Sequence, residues 1–241
     1  MDRMIYLSMS GAKATMQRQD VLANNLANVS TTGFRAELAA FRAVPVRGDG
    51  ASTRVYALES TVGYNPDAGP VQATGRSLDV AMKGGAWLAV QGLDGTEAYS
   101  RAGSLDISAE GTLVTRSGLP VLGDGGPITV PPNSEVSIGS DGTISARSAQ
   151  GKSTPVGKLK LVTPEAPLQR GEDGLFRAAD GELPADPNAR VQDGALEGSN
   201  VSPVETMVAM IAAARQFESQ MKMLQTAEQN EQASTKLLSS G

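Results

Sequence analysis

Two carboxylates flanking a sugar linkage can cleave it, so Asp79 with Asp106, or Asp94 with Glu97, are the pairs from which a glycosidase could be built. Nothing in their spacing sets a working separation, and among 26 acidic residues such pairs arise freely. The chain has no Cys and no His. That removes thiol nucleophiles, imidazole bases, disulfides and nearly all zinc or iron sites. Gly84-Gly85 follows a strand-like run but lacks the spacing of a phosphate loop, and Trp87 opens another strand where a helix is needed. Gly139-Ser140-Asp141-Gly142-Thr143 offers one carboxylate where a calcium loop needs several oxygen ligands. Both stretches read as turns. No residue is assigned a catalytic, metal-ligating or cofactor-binding role, and no cofactor is expected.

Charge and composition narrow the partners. The net charge is −5 and the pI about 4.9, with no basic run that could track a phosphate backbone, so nucleic acid is not an expected partner. Aromatics make up 4% of the 241 residues, against 27 Gly and 13 Pro. This favours a turn-rich β region over an aromatic-lined pocket, and no small-molecule substrate is expected. No run of 18 apolar residues exists for membrane insertion. Met1-Asp2-Arg3-Met4 begins acidic and leads into a Ser/Gly/Ala/Thr mixture, unlike a cleavable secretory signal.

What remains is long amphipathic helices. Ile5, Met9, Ala12 and Met16, then Ala23 and Leu26, recur at steps of three and four with Gln19 interrupting. They predict one helix over about residues 3 to 29, about 40 Å long, closed by the left-handed residue Gly33. At the other end Ser202-Pro203-Val204-Glu205 reads as a capping box with Pro at the first helical position. Met207, Met210, Ala214, Phe217, Met221 and Leu224 form a seam there, flanked by Val204, Val208 and Ile211. The two helices are expected to pair as a coiled coil.

Between them the helical period is lost. Residues 36–75 are punctuated by Pro45, Gly48, Gly50, Gly63, Pro66, Gly69 and Pro70 and read as an extended arm. Residues 76–199 carry short apolar runs separated by Gly84-Gly85, Asp94-Gly95, Glu110-Gly111 and Ser117-Gly118, the chemistry of antiparallel hairpins. The last run, 194–201, should bring the neighbourhoods of Phe34 and Val201 together. The predicted class is α+β: terminal helices (1–35 and 200–241) forming a coiled-coil domain, an arm (36–75), and a central, mostly antiparallel β domain (76–199).

Asn24, Asn25 and Asn28 are poor helix formers in the last turns of a helix, and their amides are expected to bond neighbouring helices and fix register. Gly11, among Ser8, Ser10, Ala12 and Ala14, admits a close backbone. Leu7, Val21, Leu22, Val208 and Ile211 lie off the main seams, so a pair of helices alone leaves apolar surface uncovered. Self-association or assembly is the function these residues favour.

Ala23-Asn24-Asn25-Leu26-Ala27-Asn28 with Thr31-Thr32-Gly33-Phe34 resembles the N-terminal signature of the bacterial flagellar basal-body rod and hook protein family. Gly75-Arg76-Ser77-Leu78-Asp79-Val80-Ala81, Tyr99-Ser100-Arg101-Ala102-Gly103 and Gly111-Thr112-Leu113-Val114-Thr115 are similar to its β domain. Leu196-Glu197-Gly198-Ser199-Asn200-Val201 and Arg215-Gln216-Phe217-Glu218-Ser219-Gln220 are most similar to its proximal-rod members. Gly85-Ala86-Trp87-Leu88 departs from the family, which more often has an acidic residue and an aromatic pair there.

The resemblance implies a non-enzymatic axial subunit, exported unfolded through the flagellar type III apparatus without a cleavable signal. It would assemble in the periplasm into the rod of the basal body, where it transmits torque. Its partners would be copies of itself and other rod proteins. The assembly interface expected from both lines of argument comprises Ile5, Met9, Ala12, Met16, Asn24, Asn25, Leu26, Asn28, Gly33 and Phe34 at one end. At the other it comprises Val204, Met207, Val208, Ile211, Phe217, Met221 and Leu224. A distal-rod or hook sibling, or a secreted glycan- or peptide-binding β module on a helical stalk, are the alternatives.

Overall fold

The computed structural model describes residues 2–45, 55–148 and 151–239. The chain is α+β, with a helix at each end and antiparallel pairing throughout the described strands. It divides into two units. One comprises residues 1–29, 36–65 and 201–241, the other residues 30–35 and 66–200.

In the first unit, helix α1 runs Asp2–Ala27 and helix α2 runs Pro203–Ser239. Ser202 caps α2 as its spacing requires: its Oγ accepts from Glu205 N at 3.5 Å, and its carbonyl accepts from Thr206 N at 3.0 Å. The two helices pack along one another. Ser8, Ala12 and Thr15 make the buried stripe of α1. Gly11 faces α2, since a Cβ built there would sit 3.1 Å from the Gln220 side chain. The stretch expected as an open arm contains a ribbon of two strands, β1 (Glu37–Pro45) and β2 (Val55–Tyr64), paired antiparallel with a bulge after Ala40. Gly48 and Gly50 lie outside the described residues.

In the second unit, short apolar runs are bounded by Gly turns; Val80–Met82 and Trp87–Gln91 are buried on both faces, whereas Glu135–Ile138 and Thr143–Arg147 alternate. A five-stranded sheet orders Leu161–Val162, Trp87–Gln91, Glu97–Ser100, Phe176–Arg177 and Gln169–Arg170. A three-stranded sheet follows Glu135–Ile138, Thr143–Arg147 and Ser153–Lys158. Val80, Leu88, Val90, Leu105, Leu113, Val121, Ile144 and Val191 form the core. One turn recurs at 92–96, 108–112, 115–119, 139–143 and 171–175. Its fourth residue is a Gly with positive φ whose N–H returns to the first carbonyl, and the first N–H returns to the fifth. This is a type I turn closed by a left-handed Gly. It accounts for the Gly139–Thr143 run as a hairpin. Gly84, at φ 62°, likewise turns Val80–Met82 into Trp87–Gln91.

The end of this unit zips onto its beginning. Ala195–Glu197 pairs with Val71–Ala73, and Val191–Asp193 with Val80–Met82. Asn200 N donates to Phe34 O at 3.3 Å, which closes the distance expected between 34 and 201.

Candidate functional site

The carboxylates considered for hydrolysis, Asp79, Asp106, Asp94 and Glu97, are held in structural contacts. Arg76 sits between Asp79 and Asp106, and Asp79 also accepts from Thr74 Oγ1 at 2.8 Å. Asp94 closes its own turn on Thr96 and meets Arg177 at 3.1 Å, while Glu97 pairs with Lys160 at 2.6 Å. An open depression of about 620 Å³ beside that last pair is lined by Gln91, Asp124, Pro127 and Glu182 with no aromatic side chain. No group of three or more acidic residues arranged to hold a metal ion exists among the described residues. No helix among them is long and apolar enough to cross a membrane.

Among the described residues, both helices carry large apolar side chains that are exposed. On α2 the inward positions Met210, Ala213, Phe217, Gln220 and Leu224 step by three and four and are buried or half-buried. Val204, Met207, Val208 and Ile211 are each more than half exposed, and Met221 is also exposed. On α1, Tyr6, Met9 and Met16 are more than half exposed, while Ile5 and Leu26 are half-buried. This changes the expected seam. Met9, Met16, Met207 and Met221 do not line the helix pair, because small side chains at Ser8, Gly11, Ala12 and Thr15 let the helices approach closely and turn the larger residues outward. Val21 and Leu22 are half-buried, and Leu7 has its side chain outside the described residues.

The Asn cluster serves a different neighbour from the one expected. Asn25 is buried and makes a two-way clamp on a strand: Nδ2 donates to Glu37 O at 3.0 Å and Oδ1 accepts from Glu37 N at 2.8 Å. It fixes the start of β1 against α1. Asn28 Nδ2 donates to Asn24 O at 2.9 Å, a bond within the last turn of the same helix. Asn24 is exposed.

Gly33 and Phe34 belong to the second unit. The helix ends at Ala27, so the left-handed Gly33 (φ 70°) shapes the following loop instead of the helix end. Its N–H donates to Glu197 O at 2.8 Å. Any Cβ there would meet Arg101 backbone at 2.2 Å. Phe34 is buried, with the Arg170 guanidinium 4.8 Å from its ring centroid.

Beside them lies a charge cluster that sequence reasoning missed. Glu197 accepts from Arg35 Nη2 at 2.6 Å, Arg101 Nε at 2.8 Å and Gly69 N at 2.9 Å. Arg101 also donates to the carbonyls of Met82, Gly84 and Ala86. All three charged side chains are about 2% exposed or less. Burial draws the Arg101 guanidinium below its ordinary pKa, and the Glu197 carboxylate opposes that shift. Arg35 Nε and Nη1 have no acceptor among the described residues, so Glu197 is what compensates that cation. The available signal was the presence of Arg35 and Glu197 inside otherwise apolar and Gly-rich junctions.

Comparison with known proteins agrees at both ends and in the middle. Family models match residues 5–35 (Flagella basal body rod protein), 81–146 (Flagellar hook protein FlgE/F/G D1 domain) and 192–237 (Flagellar basal body rod FlgEFG protein C-terminal). The chain is 48% identical over 250 residues to the flagellar basal-body rod protein FlgF of Salmonella typhimurium, covering 99% of each. It is 47% identical over 250 residues to FlgF of Escherichia coli K12, again 99% of each. Against the flagellar basal-body rod protein FlgG of Bacillus subtilis the figure is 32% over 253 residues, 94% of this chain and 96% of that protein. The chain therefore belongs to the flagellar basal-body rod protein family and is most like its FlgF members.

Proposed function

We propose that this rod subunit builds the proximal rod by self-assembly through its terminal helices and, once assembled, transmits torque. The observation that carries the reading is the pattern of exposure on α1 and α2. The helices bury a stripe of small and mixed residues between them and leave Met9, Met16, Val204, Met207, Val208 and Ile211 to solvent. Large apolar side chains left exposed in this way mark a contact with another subunit. In the rod those faces pack on neighbouring copies and on other rod proteins, completing a coiled-coil wall in which α1 and α2 are one pair among many. Asn25 and the buried cluster at Glu197 act inside the subunit, holding its shape under load.

The same reading puts the subunit in the periplasmic part of the basal body, delivered unfolded by the type III export apparatus. A chain whose helices lack cover on a second face is loosely ordered at its ends before assembly. Slow hydrogen exchange throughout both helices of a verified monomer would contradict that.

Function is tested by producing the chain in flagellated cells that lack their own FlgF. The expected result is swimming cells and basal bodies that contain the subunit. A folded chain that is exported yet absent from basal bodies would overturn the reading.

A further inference from the structure

We infer that Met9, Met16, Met207, Met221 and Met223 form an oxidation site on the unassembled subunit, at which peroxide chemistry reversibly blocks incorporation. The chain has 9 Met and no Cys. Its readily oxidised sulfur is therefore all thioether. The five residues named are 40% to 58% exposed, and all lie on α1 and α2, whereas Met82 in the β core is 3% exposed. Met9 and Met16, seven residues apart, share a face of α1 with Tyr6, and Met207 shares a face of α2 with Val204 and Ile211. The sulfur of Met9, Met16, Met207 and Met221 thus sits on the surfaces assigned above to subunit contact, and Met223 lies beside Met221 on another face of α2. The blocking effect rests on that assignment.

The reaction needs hydrogen peroxide as oxidant. The sulfur lone pair attacks one peroxide oxygen, an S–O bond forms as the O–O bond breaks, and the second oxygen leaves as water after taking up the transferred proton. Sulfur is oxidised by two electrons and peroxide reduced by two. Two thiols of a methionine sulfoxide reductase reverse the step, becoming a disulfide and releasing the oxygen as water. A sulfoxide is a strong acceptor, and drying it against an apolar neighbour without a donor is unfavourable. In the free subunit it stays in water, so the fold is unaffected.

Two measurements test this. Peptide mass spectrometry of the full chain after graded peroxide treatment should show an added oxygen at the five exposed Met before Met82. Oxidation of Met82 at the same rate would overturn the site. Incorporation into basal bodies is then compared between M207Q, which mimics the sulfoxide, and M207L, with helix content of both checked by circular dichroism; M9Q and M9L are compared in the same way. The Gln form should incorporate about tenfold less than the Leu form. Equal incorporation would overturn the inference while leaving the functional reading intact. Failure of the wild-type chain to incorporate overturns that reading itself, and is scored before the variants are compared.

Discussion

The carboxylate of Glu197 lies 2.6 Å from the guanidinium of Arg35, a residue 162 positions earlier in the chain. The pair is buried on both sides, with Arg101 and the Gly69 amide on the same carboxylate. Removing the acid leaves two guanidinium groups in a dry site. Glu197→Leu is expected to destabilise the unit formed by residues 30–35 and 66–200 by about 3 to 5 kcal/mol, the usual cost of breaking a buried pair. Glu197→Gln, which keeps the acceptor but not the charge, should lose less. Urea denaturation followed by Trp87 fluorescence measures both; a Leu variant within about 1 kcal/mol of wild type would show that the cluster is not what closes this unit.

Gly33→Ala is expected to be among the most damaging single-methyl changes in the chain. The added Cβ combines a left-handed φ of 70° with a 2.2 Å clash against Arg101 backbone. Gly118 is the control, because its φ is 84° but nothing lies within 4 Å of a Cβ there. Gly118→Ala should cost about 1 kcal/mol from strain alone. Thermal unfolding of both variants should show a far larger drop at position 33.

Asn25→Ala removes both hydrogen bonds to the Glu37 backbone and should cost about 1 to 3 kcal/mol. Asn24→Ala, at an exposed position, should be within about 0.5 kcal/mol of wild type. Amide exchange at Glu37 is the local readout. Faster exchange there in Asn25→Ala, and none in Asn24→Ala, is the expected pattern.

Acid should loosen the hairpins. Asp94 and Asp141 are held below the usual carboxylate range, first by the hydroxyls of Thr96 and Thr143, and Asp173 first by the Arg177 guanidinium. A lowered folded pKa contributes stability above the unfolded value of about 4 and loses it as pH falls through the folded value. The melting temperature should therefore drop below about pH 4, and the Asn variants at 94, 141 and 173 should flatten that slope. The Tyr99 phenol is shifted the other way, above its ordinary value, chiefly by burial. Its contribution is complete below about pH 10 and declines as pH rises from there towards the folded pKa. Tyr99→Phe should remove that alkaline loss.

Local signals were legible in the sequence where one residue type does one job. The Ser202 cap, the Gly of the turns at 92–96, 108–112, 115–119 and 139–143, and the return of the chain to Phe34 all follow from such signals. The helix seam was not, because a step of three and four fits both the Met9 and Met16 stripe and the Ser8, Ala12 and Thr15 stripe. Only the closeness of packing at Gly11 chooses between them. Ser153–Lys158 carries no clear strand signal, since Pro155 lacks an N–H, and it lies at a sheet edge, where that lack is tolerated. At the Glu197 cluster the local signal marks Arg35 and Glu197 as unusual but not as partners, because they meet across 162 positions.

The most direct test of the central claim is a charge placed on the exposed face of α2 at Ile211, which is more than half exposed. Ile211→Glu should leave thermal unfolding of the purified chain within a few degrees of wild type, as expected at an exposed position. In cells lacking their own FlgF it should abolish incorporation into basal bodies and swimming. Normal incorporation of Ile211→Glu would contradict the assignment of this face to assembly.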